Sequence, residues 1–129
     1  MNALLVDTNV LIDAFLGDSQ AARTISAYDR VLVCTTVLGE YKAGVDPATK
    51  AGREFLGKLE SFLEDPAVRT VGGTENTADY YARVYRTLKA NGTPIPQNDI
   101  WIAAFALEHA ATLFSRDAHF AGVPMLKLV

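Results

Sequence analysis

Short apolar runs alternate along this chain with longer stretches whose apolar residues recur every three to four positions. No other feature narrows the fold as much. The short runs are residues 3–6, 30–34, 67–71, 112–115 and 125–128. Each is too brief for a helix and reads as a buried strand. The stretches between them carry helical periodicity, so consecutive strands must be joined by helical crossovers. Such crossovers give a mostly parallel sheet covered on both faces. The expected fold is α/β: a three-layer α/β/α domain with a mostly parallel five-stranded sheet, one domain over residues 1–129.

Local signals support the helices. Val10, Leu11, Ala14 and Phe15 share one face, and Gly17 follows as a C-terminal cap. Residues 18–28 read as a short helix, with Ala21, Ala22 and Ile25 inward. Thr35 and Thr36 cap a helix that ends near Gly44, and Asp46-Pro47 marks the next helix start. Residues 48–64 carry a continuous stripe through Phe55, Leu56, Leu59, Phe62 and Leu63. Gly72-Gly73 makes a turn, Thr74 or Asn76 caps the following helix, and Asn91-Gly92 stops it. Pro94 and Pro96 exclude helix from the loop before residues 97–111, a stretch apolar enough to be buried on several faces.

Composition excludes several classes. Half the residues are hydrophobic, enough for a substantial core, yet no run of about 18 apolar residues could span a membrane. No basic segment precedes the first apolar run, so a cleaved signal peptide is not expected. The single cysteine, Cys34, lies in an apolar run and reads as a buried strand residue. One cysteine allows no internal disulfide, which fits a reducing cytoplasm. A net charge of −3 argues against a protein held on nucleic acid by a large basic surface. It leaves room for a nuclease, because bound cations offset local acidic charge and attract phosphate.

Most of the fifteen acids fall on polar helix faces, among them Asp13, Glu54, Glu60, Glu64 and Glu108. Four are placed differently. Asp7 ends the first strand, Glu40 lies one turn into the helix after the second, and Asp117 follows the fourth by two residues. Asp99 opens the buried helix before the fourth strand. In a parallel sheet all strands end at one edge, where ligands bind. That rule brings Asp7 and Asp117 together directly and Glu40 to within a turn or two. Spacing alone does not bring Asp99 there. Each acid also has a structural explanation: Asp7 and Asp99 as helix caps or first-turn acids, Asp117 as a turn former. Glu40 falls four residues after Thr36, so it does not complete a capping box. Four converging carboxylates would repel one another unless cations neutralise them. Such oxygen donors suit Mg²⁺ or Mn²⁺. His109 and His119 are too few and too scattered to suggest zinc.

Four stretches carry a family resemblance: Leu5-Val6-Asp7-Thr8-Asn9-Val10-Leu11-Ile12, Thr36-Val37-Leu38-Gly39-Glu40, residues 92–104 with Asn98-Asp99-Ile100-Trp101, and Leu113-Phe114-Ser115-Arg116-Asp117-Ala118-His119-Phe120. Together they resemble the PIN domain, and within that family the VapC-type ribonuclease toxins of bacterial toxin–antitoxin pairs. The resemblance covers essentially the whole chain. It implies that Asp7, Glu40, Asp99 and Asp117 form a metal-binding, catalytic acid quartet, and it supplies the placement of Asp99. It further implies that Thr8 or Asn9, and Ser115, support the site by hydrogen bonding. Expected with it are Mg²⁺ or Mn²⁺ as cofactor, RNA as substrate, a cognate VapB-type antitoxin and a homodimer. Arg83, Arg86 and Lys89 share one side of their helix and Arg116 adjoins Asp117, which makes them candidate RNA contacts, with solvated surface the plainer explanation.

Two other Mg²⁺-dependent α/β classes fail on single residues. A phosphorylatable receiver domain needs an acid at the end of the third strand, where this chain has Thr70-Val71-Gly72-Gly73. A haloacid-dehalogenase-like phosphatase needs a second acid two positions after the first, where this chain has Asn9. An intact quartet argues against a module that binds RNA or protein without cutting it.

Overall fold

Four of the five apolar runs form strands. In the computed structural model, which describes residues 2–129, they are β1 (Ala3–Val6), β2 (Arg30–Cys34), β3 (Val68–Val71) and β4 (Thr112–Phe114). Six helices connect them: α1 (Thr8–Phe15), α2 (Ser19–Ser26), α3 (Thr35–Ala43), α4 (Lys50–Leu63), α5 (Glu75–Ala90) and α6 (Gln97–Glu108). The strand order is β3-β2-β1-β4 and every pairing is parallel. The sheet centre explains the apolar runs: Leu4, Leu5, Val6, Val33 and Leu113 are wholly enclosed. Parallel strands covered on both faces read as continuous apolar stretches. The edge strand β3 instead exposes Arg69 and Thr70.

The expected fifth strand does not form. Residues 125–128 meet β4 through a single parallel bridge, Leu113 to Leu128. Met125 sits at φ +69°, which takes the chain out of extended geometry, and its side chain is 89% exposed. Pro124 just before it has no N–H to give a ladder.

Helix boundaries follow local chemistry. Gly17 and Gly92 take left-handed backbone (φ +99° and +71°) just past α1 and α5. Thr74 caps α5 in a reciprocal box with Thr77. Three starts and stops differ from the sequence reading. Thr35 and Thr36 lie inside α3, whose cap position is Cys34 without a side-chain bond. Helix α4 begins at Lys50, capped by Thr49. Helix α6 stops at Glu108 because Ala110 turns left-handed at φ +50°. Glu108 is also no solvated surface acid: it accepts Thr77 Oγ1 at 2.6 Å and Asn76 Nδ2 at 3.2 Å, tying α6 to α5.

Two topological facts position the site. After β1 the chain goes to β2 and β3 on one side and returns to β4 on the other. The carboxyl edge between β1 and β4 is therefore the sheet's switch point, where the crossovers part and leave a crevice. The register then pairs Val6 with Phe114, so the next residues, Asp7 and Ser115, emerge side by side at that crevice.

Candidate functional site

Asp7 is held at the bottom of the crevice. Its backbone N–H donates to Phe114 O at 2.9 Å, continuing the β1–β4 ladder for one residue. Its side chain is the cap of α1, Oδ1 accepting from Thr8 N at 2.8 Å, while Oδ2 accepts from Ser115 Oγ at 2.6 Å. The residue is only 6% exposed. Burial pushes its pKa above 3.8, and the nearby Glu40 and Asp99 add to the rise against the two hydrogen bonds.

The other three acids stand around it. Glu40 on α3 accepts from Thr8 Oγ1 at 2.8 Å and from Asn98 Nδ2 at 3.4 Å. Asp99 lies in the first turn of α6, its side chain 13% exposed, so that helix does begin on this edge. Asp117 follows β4 and caps a 3₁₀ turn, Ala118–Gly122, by accepting His119 N at 2.9 Å. Burial raises the pKa of Asp99 above 3.8. The His119 hydrogen bond opposes this, and Asp117 and Glu40 add to it.

These contacts close into a ring. Asn98 donates to Glu40, Thr8 to Glu40 and to Asp7, Ser115 to Asp7, and Asp117 N to Ser115 Oγ at 3.0 Å. His119 then bonds Asp117 through its backbone and Asp99 through Nδ1 at 2.8 Å, and Asp99 adjoins Asn98. All four expected acids are thus brought to one place, with Thr8 and Ser115 supporting them. Asn9 has a lesser part, accepting from Arg116 N at 3.5 Å.

Two ring members were not singled out from the sequence. Asn98 was legible as the neighbour of Asp99 on the same first turn. His119 was set aside as unsuited to zinc. The usable signal was its spacing: an acid capping a 3₁₀ turn bonds the N–H two positions on, so the side chain of residue 119 is returned to the carboxylate of residue 117.

The basic side chains divide. Arg116 does not face the crevice freely: its Nη1 donates to Asp13 Oδ2 at 2.6 Å and Asp18 Oδ2 at 2.8 Å. Arg83 and Arg86 are exposed on α5, where Arg83 lies over the Tyr80 ring at 4.3 Å.

Among the described residues, the cluster with metal-ligand spacing is Asp99, Asp117 and His119, whose ligand atoms all lie within 4.8 Å of one another. The donor chemistry fits a small hard dication: mostly carboxylate oxygens, two of them on acids whose pKa values are raised by burial first and by neighbouring carboxylates second.

A family model described as the PIN domain matches residues 4–125. The chain belongs to the PIN domain family. Within it, the chain is similar to Ribonuclease VapC5 of Mycobacterium tuberculosis, with 30% identity over 92% of this chain and 86% of that protein. Among solved structures it is similar to VapBC-5 of Mycobacterium tuberculosis, described as a member of the VapBC family of toxin–antitoxin systems. That likeness has a TM-score of 0.75 and 28% identity, over 100% of this chain and 98% of the other. VapBC-1 from nontypeable Haemophilus influenzae shares the fold at TM-score 0.83 and 24% identity, over 98% and 96%. This PIN domain therefore has the parallel sheet and flanking helices expected of it, with four strands in place of five. No helix among the described residues is long and apolar enough to cross a membrane.

Proposed function

We propose that this PIN domain is an endoribonuclease toxin of the VapC type, which hydrolyses RNA phosphodiester bonds in the crevice between β1 and β4. The observation that carries the reading is the closed ring of Asp7, Glu40, Asp99 and Asp117 at the switch point. The ribonuclease name of its relative supports the choice of RNA.

The cofactor in this reading is Mg²⁺ or Mn²⁺, held by Asp7, Asp99 and Asp117, with Glu40 completing the set. Such an ion supplies Lewis acidity toward a phosphodiester and neutralises charge that builds during in-line attack. The chain's own residues do the rest. Ser115 and the Thr8 N–H fix both oxygens of Asp7, so the carboxylate needs no reorganisation when substrate arrives. Thr8 Oγ1 and Asn98 hold both oxygens of Glu40, within reach of a water to be oriented for attack. Arg83 and Arg86 contact phosphates outside the crevice and position RNA without reading its sequence. Arg116, already paired with two acids, acts through the loop that bears Asp117.

The reading includes a cognate VapB-type antitoxin, a homodimer and a cytoplasmic site of action. Beside Glu40 a cleft of about 360 Å³ has an apolar wall of Ile12, Tyr41, Val45 and Phe55, suited to an apolar antitoxin segment next to the acids.

The test is brief induced expression with mapping of cut ends in total cellular RNA, wild type beside Asp99→Asn. Discrete cuts by the wild type alone are expected. Equal cutting by both assigns the acids a structural role, and no cutting by folded, antitoxin-free wild type rules out the nuclease.

A further inference from the structure

The ring contains one side chain that an all-carboxylate cation site does not need. His119 lies on the 3₁₀ turn that Asp117 caps, beside Asp99 of the first turn of α6, with its side chain 49% exposed. Its Nδ1 is 2.8 Å from Asp99 Oδ2 and 3.1 Å from Asp117 Oδ1. Two neighbouring ligands on an octahedral dication, each about 2.1 Å from the ion, are about 3.0 Å apart. The imidazole nitrogen therefore already stands from both carboxylates at the spacing of a neighbouring ligand.

The backbone is built to keep it there. Phe120, the next residue, is wholly buried and anchors the turn in the core. The N–H of His119 is fixed by Asp117 Oδ1. The ring therefore has few conformations to lose on binding, unlike a histidine on a free loop.

Resting on the reading of this ring as a cation site, we propose that His119 is a nitrogen ligand of that cation, alongside Asp99 and Asp117. A nitrogen donor changes which ion the site prefers. Mg²⁺ gains little from imidazole, whereas transition-metal dications gain more, Mn²⁺ least among them. The ring thus holds Mn²⁺ more tightly than Mg²⁺, and His119 is the residue that sets the difference.

The chain has only two histidines, which makes the test clean. The other, His109, lies just past the far end of α6 beside Glu108. The experiment is pulsed electron paramagnetic resonance of Mn²⁺ added to the full-length protein, read for ¹⁴N modulation from a coordinated imidazole. Mn²⁺ and Mg²⁺ affinities are measured alongside by calorimetry. Wild type and His109→Asn are expected to show the nitrogen coupling, and His119→Asn to lose it. His119→Asn should bind Mn²⁺ about tenfold or more weakly, the scale of losing a metal-site partner, with Mg²⁺ affinity changed by less than about threefold. Mn²⁺ bound to wild type without nitrogen coupling overturns the role of His119 and leaves the acid site standing. No Mn²⁺ or Mg²⁺ bound to folded wild type overturns the cation site itself. Because His119 is half exposed, its replacement leaves the core intact, and a thermal melt of each variant verifies this.

Discussion

Replacing Asp7 with Asn should stabilise the metal-free protein while abolishing its response to metal. One effect favours the carboxylate. It caps α1, but Asn caps about as well, and its charge at the helix N-terminus contributes about 0.5 kcal/mol. Its two hydrogen bonds are also retained: Asn Oδ1 accepts Thr8 N, and the Ser115 hydroxyl turns to accept from the new amide. Against this stands the cost of an ionised group only 6% exposed, facing Glu40 and Asp99. An incompletely compensated buried ion costs several kcal/mol, of which two charge-assisted bonds return most. A net gain of about 1 kcal/mol remains. With unfolding entropy of about 2.1 cal/mol/K per residue, 129 residues give about 0.27 kcal/mol/K, so the gain appears as about 4 °C in Tm. The assay is a thermal melt with chelator and with saturating Mg²⁺. At a free concentration 100-fold above Kd, Mg²⁺ should add about 2.7 kcal/mol to wild type, about 10 °C, and little to Asp7→Asn. An Asp7→Asn variant that melts several degrees lower in chelator, or responds to Mg²⁺ as wild type does, refutes the reasoning. Asp7 would then be a structural cap.

The same charges predict a pH dependence. Asp7 and Asp99 are raised above 3.8 in the fold, so their favourable contribution is full below 3.8 and is lost as pH rises through the raised values. His119 is raised above 6.5 by Asp99, so its contribution is full below 6.5 and is lost as pH climbs past its folded value. Urea titrations in chelator should therefore show stability falling as pH rises from 3.8 and still falling as it passes 6.5, and recovering on addition of Mg²⁺; a rising profile in chelator would count against the site electrostatics. In Arg116→Ala, NMR should find Asp18 titrating above its value of about 2, which the Arg116 hydrogen bond sets first and the Ala21 N–H second, but still below 3.8 because the Ala21 bond remains; an unmoved Asp18 would mean the ion pair does not hold in solution. Gly52→Ala should lose about 3 kcal/mol or more, because the new Cβ would lie 1.8 Å from the Asp46 carbonyl oxygen. A Tm within about 2 °C of wild type would show that the 46–52 segment is free to shift.

The parallel sheet was legible because buried strands have no polar face to hide, so residues 3–6 and 30–34 stand out as uninterrupted apolar runs. The run at 125–128 has the same composition but not the same fate. Its backbone turns left-handed at Met125 after a residue with no N–H, and apolar content does not report that. Three of the four acids could be brought to one edge by topology alone, since strand ends and helix starts share it. Asp99 could not, because which edge a helix starts on depends on the path of the loop before it. Pro94 and Pro96 exclude helix there without specifying that path.

What sequence reasoning misjudged most was polar side chains whose partners lie far away in the chain. Glu108 was assigned to solvent because its helix neighbours suggested a polar face, yet Thr77, 31 residues earlier, gives it a 2.6 Å bond. Arg116 was offered as a candidate RNA contact, or more plainly as solvated surface, yet Asp13 and Asp18 hold it from about a hundred residues away. Apolar residues are judged well from sequence because burial is non-directional and any core will do. A hydrogen bond needs one particular partner at one distance, which only the folded register supplies. The ring around Asp7 shows both regimes. The β1–β4 register, set by apolar packing, delivers Asp7 and Ser115 side by side. Once they are there, a 2.6 Å bond fixes a carboxylate whose charge the fold itself does not favour. In the proposed reading that charge serves a cation, and the Asp7→Asn melt measures its cost directly.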